Sequence, residues 1–352
     1  MKALVYKNKW DTKIENKNEL KIEDEDEVII DIKYCGICGT DLGIVSGDYP
    51  VALPGTTLGH EATGIVSAIG SKVKNVGVGN RVVINPTPYC GQCRFCKSLR
   101  INHCENKLGT EGGVSYDGAF AEKFKTSSKY VHKLSDQTSL TEATLTEPLS
   151  CVLSGVKKIE SIVMTRNINT VVFGAGPMGI LYTWSLVLRG FSPIIIEISK
   201  ERSCFVKDKL PKNVPIFNSL EDALQEICQS GNQPLDLVVD TTPSVFDVVY
   251  PYLSKEAVYL TIGLKKKYIS VDSMEITNNS LSIIGSIDSL YGSFEEALDI
   301  IEKKLIPVET FVSHTFFLEE YKHAFNMLGC NIPSQKSSPT CNECGKILLK
   351  IQ

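Results

Sequence analysis

The chain has 352 residues and carries 37 Lys and Arg against 41 Asp and Glu, which gives a formal net charge of −4. Its 43% hydrophobic and 22% charged residues exclude a predominantly disordered chain, and its length suits about two domains. The slight excess of acid excludes a general electrostatic attraction to nucleic acid or to anionic membranes. A small-molecule ligand, bound at a local site, is therefore the favoured partner.

The N-terminal part of the chain is rich in short apolar runs that glycine and proline separate, such as residues 27–32 and 62–70. This pattern predicts strands and turns. Residues 1–6 predict a first strand rather than a secretion signal. They lack the charged, apolar and small-residue regions of such a signal. We therefore expect the protein in the reducing cytoplasm, where clusters among its twelve cysteines indicate metal ligands or reactive groups rather than disulfides.

From residue 169 onwards, apolar strands alternate with helical or loop segments. The predicted strands are 171–173, 194–197, 237–239, 258–262 and 281–284, and a helix that ends at Arg189 lies between the first two. Buried runs in this order predict an α/β domain with a doubly wound, mostly parallel sheet, which we place at residues 154–290. A helix at 294–303 then leads back to mixed structure.

The first of these strands is followed by Gly174-Ala175-Gly176-Pro177-Met178-Gly179, which opens the helix. These glycines permit a tight turn and bring backbone close to a pyrophosphate at a helix N-terminus. Glu197 ends the next strand, where its carboxylate would hydrogen-bond the adenosine ribose and repel a 2′-phosphate. This favours NAD over NADP, although Lys200 and Arg202 stand nearby. The uncharged stretch 170–188 is explained as a buried strand and helix, so we expect no membrane span.

Four cysteines follow one another closely in a loop that is rich in proline and glycine. They are Cys90, Cys93, Cys96 and Cys104, which form two consecutive Cys-x-x-Cys steps and a fourth thiol. Four thiolates at this spacing can close a tetrahedral zinc site with no open position. Such zinc stabilises the local fold and supplies no chemistry, so the four are not expected to be catalytic. Four free surface thiols are the disfavoured alternative.

A second set of metal-ligating residue types is scattered along the chain. Cys38 lies in Cys35-Gly36-Ile37-Cys38-Gly39-Thr40-Asp41, His60 lies between Gly59 and Glu61, and Glu147 precedes Pro148 and Leu149. Singly, these residues are typical of a buried thiol, a core histidine and an acid at a helix start. Together they favour a metal site, because His60 is one of only five histidines and stands in Gly59-His60-Glu61-x-x-Gly64, which is followed by Gly70 and Val73.

That run resembles the signature of the zinc-containing alcohol dehydrogenases. With the four-cysteine loop and the late dinucleotide domain, the chain resembles a medium-chain dehydrogenase/reductase along nearly its whole length. The segment Glu147-Pro148-Leu149 is similar to the polyol, sugar and threonine dehydrogenase branches, where glutamate replaces a cysteine ligand. The resemblance implies a GroES-like, mostly-β catalytic domain of residues 1–153 and 291–352, together with a Rossmann coenzyme domain at 154–290.

The resemblance also assigns residues to a catalytic zinc site. Cys38 and His60 match zinc ligands, Glu147 or its water completes the site, and Glu61 matches a residue that enters or leaves the metal shell. Asp41 matches the acid that orients the ligand histidine. Zinc held there would act as a Lewis acid that lowers the pKa of a substrate hydroxyl.

Two further assignments concern the proton and the coenzyme. Thr40 matches the hydroxyl residue that takes the substrate proton, whereas Gly43 stands where many relatives have a histidine that passes the proton to solvent, so another group or water must do so. The coenzyme contacts implied by the resemblance, with Lys346 as a pyrophosphate contact, are Gly174, Gly176, Pro177, Met178, Gly179, Glu197, Arg202, Thr241, Thr242, Gly263, Leu264, Ser286, Ile287 and Lys346.

The function implied is an NAD- and zinc-dependent dehydrogenase that oxidises a secondary alcohol of a polyol, sugar, cyclitol or amino alcohol. A carbonyl reductase that works in the opposite direction is equally compatible with the sequence. A non-catalytic dinucleotide-binding protein is disfavoured because no predicted ligand is missing, and a zinc-ribbon nucleic-acid binder is disfavoured by the acidic balance. Family resemblance also implies a homodimer or homotetramer joined through the coenzyme domains, with strand 281–284 as an edge.

The sequence does not decide the identity of the substrate or the structure of a C-terminal insertion. Candidate residues of the substrate pocket are Ile44, Ser46, Tyr49, Tyr116 and Phe120, although bulky apolar residues are usually core. An insertion from residue 330 to 344 contains a Cys-x-x-Cys pair, Cys341 and Cys344, and we expect a surface loop there. A third metal site would need a fourth ligand, which the sequence does not identify.

Overall fold

The computed structural model describes residues 1–107, 109, 111–227, 235–264, 268–330, 332, 341 and 343–352. It divides into a first unit, Met1–Ser150 with Ser289–Gln352, and a second unit, Cys151–Asp288. The predicted boundaries were 153/154 and 290/291. The chain crosses from the first unit to the second within one helix.

The first unit is built mostly on antiparallel strands, and only β14 and β15 pair in parallel among its described strands. Strands β1 and β2 form a hairpin, and a seven-stranded sheet has the order β14-β15-β3-β4-β5-β7, with β6 also paired to β3. The strands are β1 (Lys2–Asn8), β2 (Asp11–Asn16), β3 (Glu27–Gly36), β4 (Glu61–Ile69), β5 (Arg81–Ile84), β6 (Lys123–Ser127), β7 (Val131–Lys133), β14 (Val312–Phe317) and β15 (Lys346–Lys350). The predicted strands at 27–32 and 62–70 are therefore the central pair of this sheet.

Helices of the first unit are short, and the longest one, α4, continues into the second unit. They are α1 (Gly39–Ser46), α2 (Arg94–Lys97), α3 (Leu140–Ala143), α4 (Thr146–Glu160), α10 (Ser293–Glu302) and α11 (Tyr321–Met327). Helix α10 corresponds to the helix predicted at 294–303. No helix of the described residues is long and apolar enough to cross a bilayer.

The second unit contains a six-stranded parallel sheet with the order β10-β9-β8-β11-β12-β13. Its strands are β8 (Thr170–Phe173), β9 (Pro193–Ile196), β10 (Ile216–Phe217), β11 (Leu235–Asp240), β12 (Leu253–Thr261) and β13 (Ser282–Gly285). Its helices are α5 (Pro177–Leu188), α6 (Lys200–Val206), α7 (Leu220–Ile227), α8 (Phe246–Val249) and α9 (Ser273–Asn279). The order reverses between β8 and β11, which is the switch point of a doubly wound sheet. The predicted fold class is confirmed.

The core of the first unit corrects one expectation, about the substrate pocket. Ile44 and Phe120 are both fully buried in this core, at 0% exposure, so they are packing residues rather than pocket residues. The two end residues of the C-terminal insertion, Cys330 and Cys344, are also buried in this core, and the surface loop expected between them stays a prediction. Apolar thiols pack like small hydrophobic side chains, which explains their burial. Residues 331, 333–340 and 342 of the insertion lie outside the described residues.

Two buried tyrosines of the second unit predict opposite effects of the same substitution. The Tyr182 side chain is fully buried, and within the described chain its hydroxyl has no hydrogen-bond partner. The Tyr259 hydroxyl, by contrast, donates to the Asp240 carboxylate. We expect Tyr182→Phe to raise the free energy of unfolding by about 1 kcal/mol, because it removes an unpaired buried hydroxyl, and Tyr259→Phe to lower it by a similar amount.

Urea denaturation of the full-length variants measures both effects in the same unit. A Tyr182→Phe variant that loses as much stability as Tyr259→Phe would show that the Tyr182 hydroxyl is paired in solution.

Candidate metal centre and dinucleotide turn

Three predicted ligands meet because of the pairing of β3 with β4. Strand β3 ends at Gly36, whose register partner is Glu61, the first residue of β4. Cys38 follows as the N-cap of α1, and His60 immediately precedes β4. Gly36 is required here, because a Cβ at this position would lie 2.0 Å from Glu61 Oε2.

The donor atoms of these three residues fit a zinc ion. Cys38 Sγ, a ring nitrogen of His60 and a carboxylate oxygen of Glu61 all lie within 4.8 Å of one another. Among the described residues, His60 Nδ1 and Glu61 Oε2 are buried atoms with no hydrogen-bond partner. Thiolate, imidazole and carboxylate are the donors that zinc prefers, and three protein ligands leave a position open for water or substrate.

Asp41 joins the two chain segments that carry these ligands. Its carboxylate is fully buried and accepts hydrogen bonds from Cys38 N at 2.8 Å and from Gly59 N at 3.3 Å. Asp41 Oδ1 also lies 3.8 Å from His60 Nδ1. In this geometry the carboxylate bonds to the backbone and not to the imidazole, so the role of Asp41 in orienting His60 stays a prediction.

The electrostatics of the site favour a bound cation. Burial raises the pKa of the Asp41 carboxyl above its usual range. For His60, burial opposes the charged form, but Asp41 and Cys38 outweigh it and raise the pKa of the imidazole well above its usual range. A buried histidine with a raised pKa reports a surplus of negative charge around it. Zinc would neutralise that surplus.

Thr40 and Gly43 lie on α1 beside the thiol. The Cys38 thiol donates to Thr40 Oγ1 at 3.6 Å, so the threonine hydroxyl adjoins the metal donors. A Cβ at Gly43 would lie 3.1 Å from Tyr49 Cβ, and Tyr49 N donates to Gly43 O at 2.9 Å. Tyr49 therefore fills the space next to position 43, which leaves little room for a side chain there.

Glu61 also binds a buried lysine. Lys346 is 4% exposed, and its Nζ donates to Glu61 Oε1 at 2.5 Å and to Ile37 O at 3.1 Å. Burial lowers the pKa of Lys346, but Glu61 and Cys38 outweigh this effect and raise it. Strand β15 brings Lys346 here, because Leu348 pairs with Gly36. The structure thus gives Lys346 a role beside the metal ligands, and the pyrophosphate contact stays a prediction.

Two further acids lie near the centre. Glu147, 6% exposed in the first turn of α4, is outside the cluster of three donors, although it helps to raise the pKa of Lys346. Its role as a ligand stays a prediction. Sequence reasoning missed Glu111, which is 6% exposed, accepts from Thr87 Oγ1 at 3.4 Å and helps to raise the pKa of His60. The pair of glycines after Glu111 was a signal, because Gly113 lies against the backbone of Gly59.

The second cluster brings together Cys90, Cys93, Cys96 and Cys104, whose sulfur atoms lie within 4.8 Å of one another. The N–H groups of Gln92 and Cys93 each donate to Cys90 Sγ at 3.3 Å. These bonds lower the pKa of Cys90 to about 6, whereas burial raises the pKa of Cys96 to about 12. Backbone N–H groups that point at a thiolate stabilise its charge, so the bonds to Cys90 suit a four-thiolate zinc site.

The glycine-rich turn has the geometry that a dinucleotide requires. Gly174 has a φ of +90°, and Gly176 is the N-cap of α5, which begins at Pro177. A Cβ at Gly179 would lie 1.9 Å from Gly174 O, so only glycine allows this close approach. The free N–H groups at the start of α5 form an anion site.

Glu197 follows β9 beside this turn. Its carboxylate accepts hydrogen bonds from Ala175 N and from Ser199 N, each at 2.9 Å. Arg202 also reaches the turn, because its Nη1 would lie 3.6 Å from a Cβ at Gly176. Both residues are thus placed beside the predicted pyrophosphate turn.

The remaining predicted coenzyme residues of the second unit follow the carboxyl ends of its parallel strands. Thr241 and Thr242 follow β11, Gly263 and Leu264 follow β12, and Ser286 and Ile287 follow β13. A Cβ at Gly263 would lie 2.3 Å from Thr242 O, so these two loops are in contact. Ligands of doubly wound sheets bind at this edge. Direct contacts of these residues with a coenzyme stay predictions.

The Lys346–Glu61 pair predicts a specific loss of stability. Removal of the ammonium would leave the Glu61 carboxylate buried without its cation, so we expect Lys346→Met to lower the free energy of unfolding by about 3 kcal/mol. The matched control is Lys2→Met, because Lys2 pairs with Glu319 at 2.8 Å on the surface, where side-chain exposures are 51% and 55%. An exposed pair contributes little, so this control should unfold like the wild type. Equal urea midpoints for Lys346→Met and Lys2→Met would contradict a buried pair.

Comparison with known proteins supports the predicted family. Residues 24–136 match the model of the alcohol dehydrogenase GroES-like domain. The chain is 29% identical to a sorbitol dehydrogenase of Halalkalibacterium halodurans, over 86% of this chain and 88% of that protein. It is 28% identical to D-arabinitol dehydrogenase 1 of Uromyces fabae, over 93% and 94% of the two chains.

A solved structure agrees with this match. The fold superposes with a TM-score of 0.84 on an alcohol dehydrogenase of Escherichia coli CFT073 complexed with NADH, which is 25% identical and is covered to 99%, while all of this chain, 100%, is covered. The family predicted from the sequence is confirmed. The two candidate metal clusters and the dinucleotide turn of this chain, together with these likenesses, support a zinc-containing medium-chain alcohol dehydrogenase.

Proposed function

We propose that this protein oxidises a secondary alcohol of a polyol or sugar-like substrate, with NAD as the hydride acceptor and zinc as the resident metal. The observation that carries this proposal is the open cluster of Cys38, His60 and Glu61, whose donor atoms lie within 4.8 Å of one another. A closed, four-thiolate site elsewhere in the chain would account for structural zinc alone. A second, three-ligand cluster is typical of catalytic zinc.

Zinc bound at this cluster would supply Lewis acidity, which makes an alcohol acidic enough to lose its proton near neutral pH. The chain's own residues would hold and move that proton. Thr40 Oγ1, 3.6 Å from Cys38 Sγ, is positioned to accept it. No side chain at position 43 can pass the proton on, so water would complete the relay. Asp41 would keep the segments of Cys38 and His60 in place.

The relatives support the substrate class. A sorbitol dehydrogenase and a D-arabinitol dehydrogenase are both named for linear polyols, and each matches most of this chain. Polyols present several secondary hydroxyl groups, any of which a zinc centre could make more acidic. Glu197 beside the glycine-rich turn supports NAD over NADP, because a carboxylate repels a 2′-phosphate.

The activity test measures NADH formation from NAD with a panel of sorbitol, arabinitol, xylitol, a cyclitol and L-threonine. We expect turnover of at least one linear polyol and little or none with NADP. Turnover only in the reverse direction, with a ketose and NADH, would instead favour a carbonyl reductase. NADH binding with zinc present but no turnover of any alcohol or ketone would contradict the proposal.

Within that assay, Thr40 provides a residue-level prediction. Thr40→Ala should lower kcat by about a hundredfold, because a positioned proton acceptor contributes at least that much. Thr40→Ser is the matched control, since it keeps the hydroxyl, and it should retain most of the activity. Both variants should keep the zinc content of the wild type. Equal activity of Thr40→Ala and wild type would remove Thr40 from the proton path.

We further propose that the protein is a homo-oligomer that joins through β13. In the described part of the second unit, this strand forms one edge of the six-stranded sheet, and Ile283 on it is 38% exposed. An apolar sheet edge invites pairing with a second copy. Analytical ultracentrifugation should give a dimer or tetramer, and Ile283→Lys should shift it toward monomer. A monomeric wild type would contradict the proposed assembly.

The reducing cytoplasm stays the predicted compartment. It is supported by the described cysteines, none of which forms a disulfide.

A further inference from the structure

Asp240 is a buried acid that the proposed chemistry does not use. It ends β11, the strand next to β8 at the switch point of the parallel sheet, and it is 0% exposed. A carboxylate removed from water must be hydrogen-bonded, and an ionised one can accept about four bonds.

Asp240 has all four of these bonds. Oδ1 accepts from Thr242 N at 2.9 Å and from Thr242 Oγ1 at 2.6 Å. Oδ2 accepts from Val245 N at 2.9 Å and from the Tyr259 hydroxyl. Burial, and then the bond to Asp240, raise the pKa of Tyr259, so its hydroxyl stays protonated as a donor. Three of the four donors belong to the segment that leaves β11, and the fourth anchors the carboxylate to β12.

The segment held in this way lies against the glycine-rich turn. Thr241 Oγ1 donates to Phe173 O at 2.6 Å, the last residue of β8 before the turn. A Cβ at Gly174 would lie 2.7 Å from Thr241 Oγ1, and one at Gly179 would lie 3.3 Å from it. Thr241 therefore contacts both glycines that frame the turn. A shift of the segment after β11 would be passed directly to the backbone N–H groups of that turn.

We propose that Asp240 is a positioning residue for the dinucleotide: it fixes residues 241–245 so that Thr241 holds the glycine-rich turn in its binding geometry. This inference rests on the proposed function, because it assumes that the turn binds NAD(H). In this role Asp240 does not itself touch the coenzyme. It acts through Thr242, whose backbone N–H and hydroxyl both donate to the Asp240 carboxylate, and through the neighbouring Thr241.

The test is the affinity of the zinc-loaded, full-length protein for NADH, measured by fluorescence titration at a temperature at which every variant is folded. Asp240→Asn keeps the shape of the side chain but replaces one acceptor oxygen by an NH₂ group. That group would face Val245 N–H and the Tyr259 hydroxyl, or Thr242 N–H and its hydroxyl. We expect the Kd for NADH to rise by roughly tenfold, with a matching rise in KM for NAD and a smaller change in kcat.

Asp236→Asn is the matched control, because Asp236 lies at the opposite end of the same strand. Its carboxylate accepts from Asn169 N at 2.9 Å and from Ser254 Oγ at 2.5 Å, far along β11 from the turn. This variant should lose stability while its Kd for NADH stays that of the wild type. A merely structural role of Asp240 would instead give the two variants the same profile.

Tyr259→Phe is a second variant that tests the positioning role of Asp240 if Asp240→Asn does not fold. It removes one donor and leaves the Asp240 carboxylate and its bonds to residues 242 and 245, so we expect a rise in Kd of a few-fold. An unchanged Kd in the folded variants, with normal NADH binding by the wild type, would overturn the positioning role alone. No binding of NADH or NADPH by the wild type would overturn the proposed function, and this inference with it.

Discussion

The Asp41 carboxylate is the constraint on which the metal centre depends. It is fully buried and accepts hydrogen bonds from Cys38 N at 2.8 Å and Gly59 N at 3.3 Å, so it ties the start of α1 to the residue before His60. The pairing of Gly36 with Glu61 aligns the same two segments from the strand side. Together these contacts bring ligands more than twenty residues apart in sequence to one point. Two features of the fold, the Asp41 hydrogen bonds and the strand register, thus position the three candidate ligands.

The metal centre also depends on the balance of its buried charges. Asp41, Glu61 and the Cys38 thiol are brought together in the interior, where unpaired charge is costly. Lys346 offsets part of this charge through Glu61. The remainder, reported by the raised pKa of His60, is what a divalent cation would neutralise. A similar solution recurs at Asp240, where neutral donors rather than a cation satisfy a buried carboxylate. Both sites use a buried acid to hold backbone in place.

Local patterns were sufficient to predict much of this architecture. The apolar runs at β8 and β11 and the glycines of the turn predicted the parallel sheet, because strand period and turn chemistry are local properties. The short spacing of the four cysteines predicted their cluster for the same reason. Residue pairs that meet only in the folded chain gave no such signal in the sequence. Lys346 and Glu61 are 285 residues apart, and Glu111 comes close to His60 through a loop. The burial of Ile44 and Phe120 was likewise decided by packing, which spacing does not encode.

The most direct test of the two proposed zinc centres is a crystal structure of the purified protein with anomalous diffraction data collected on both sides of the zinc absorption edge. We expect two zinc peaks in each chain. One should lie among Cys90, Cys93, Cys96 and Cys104, and the other should be bound by Cys38 and His60 with Glu61 or Glu147 alongside. A single peak in the four-cysteine loop, with Cys38 and His60 intact and no metal between them, would contradict a catalytic zinc centre.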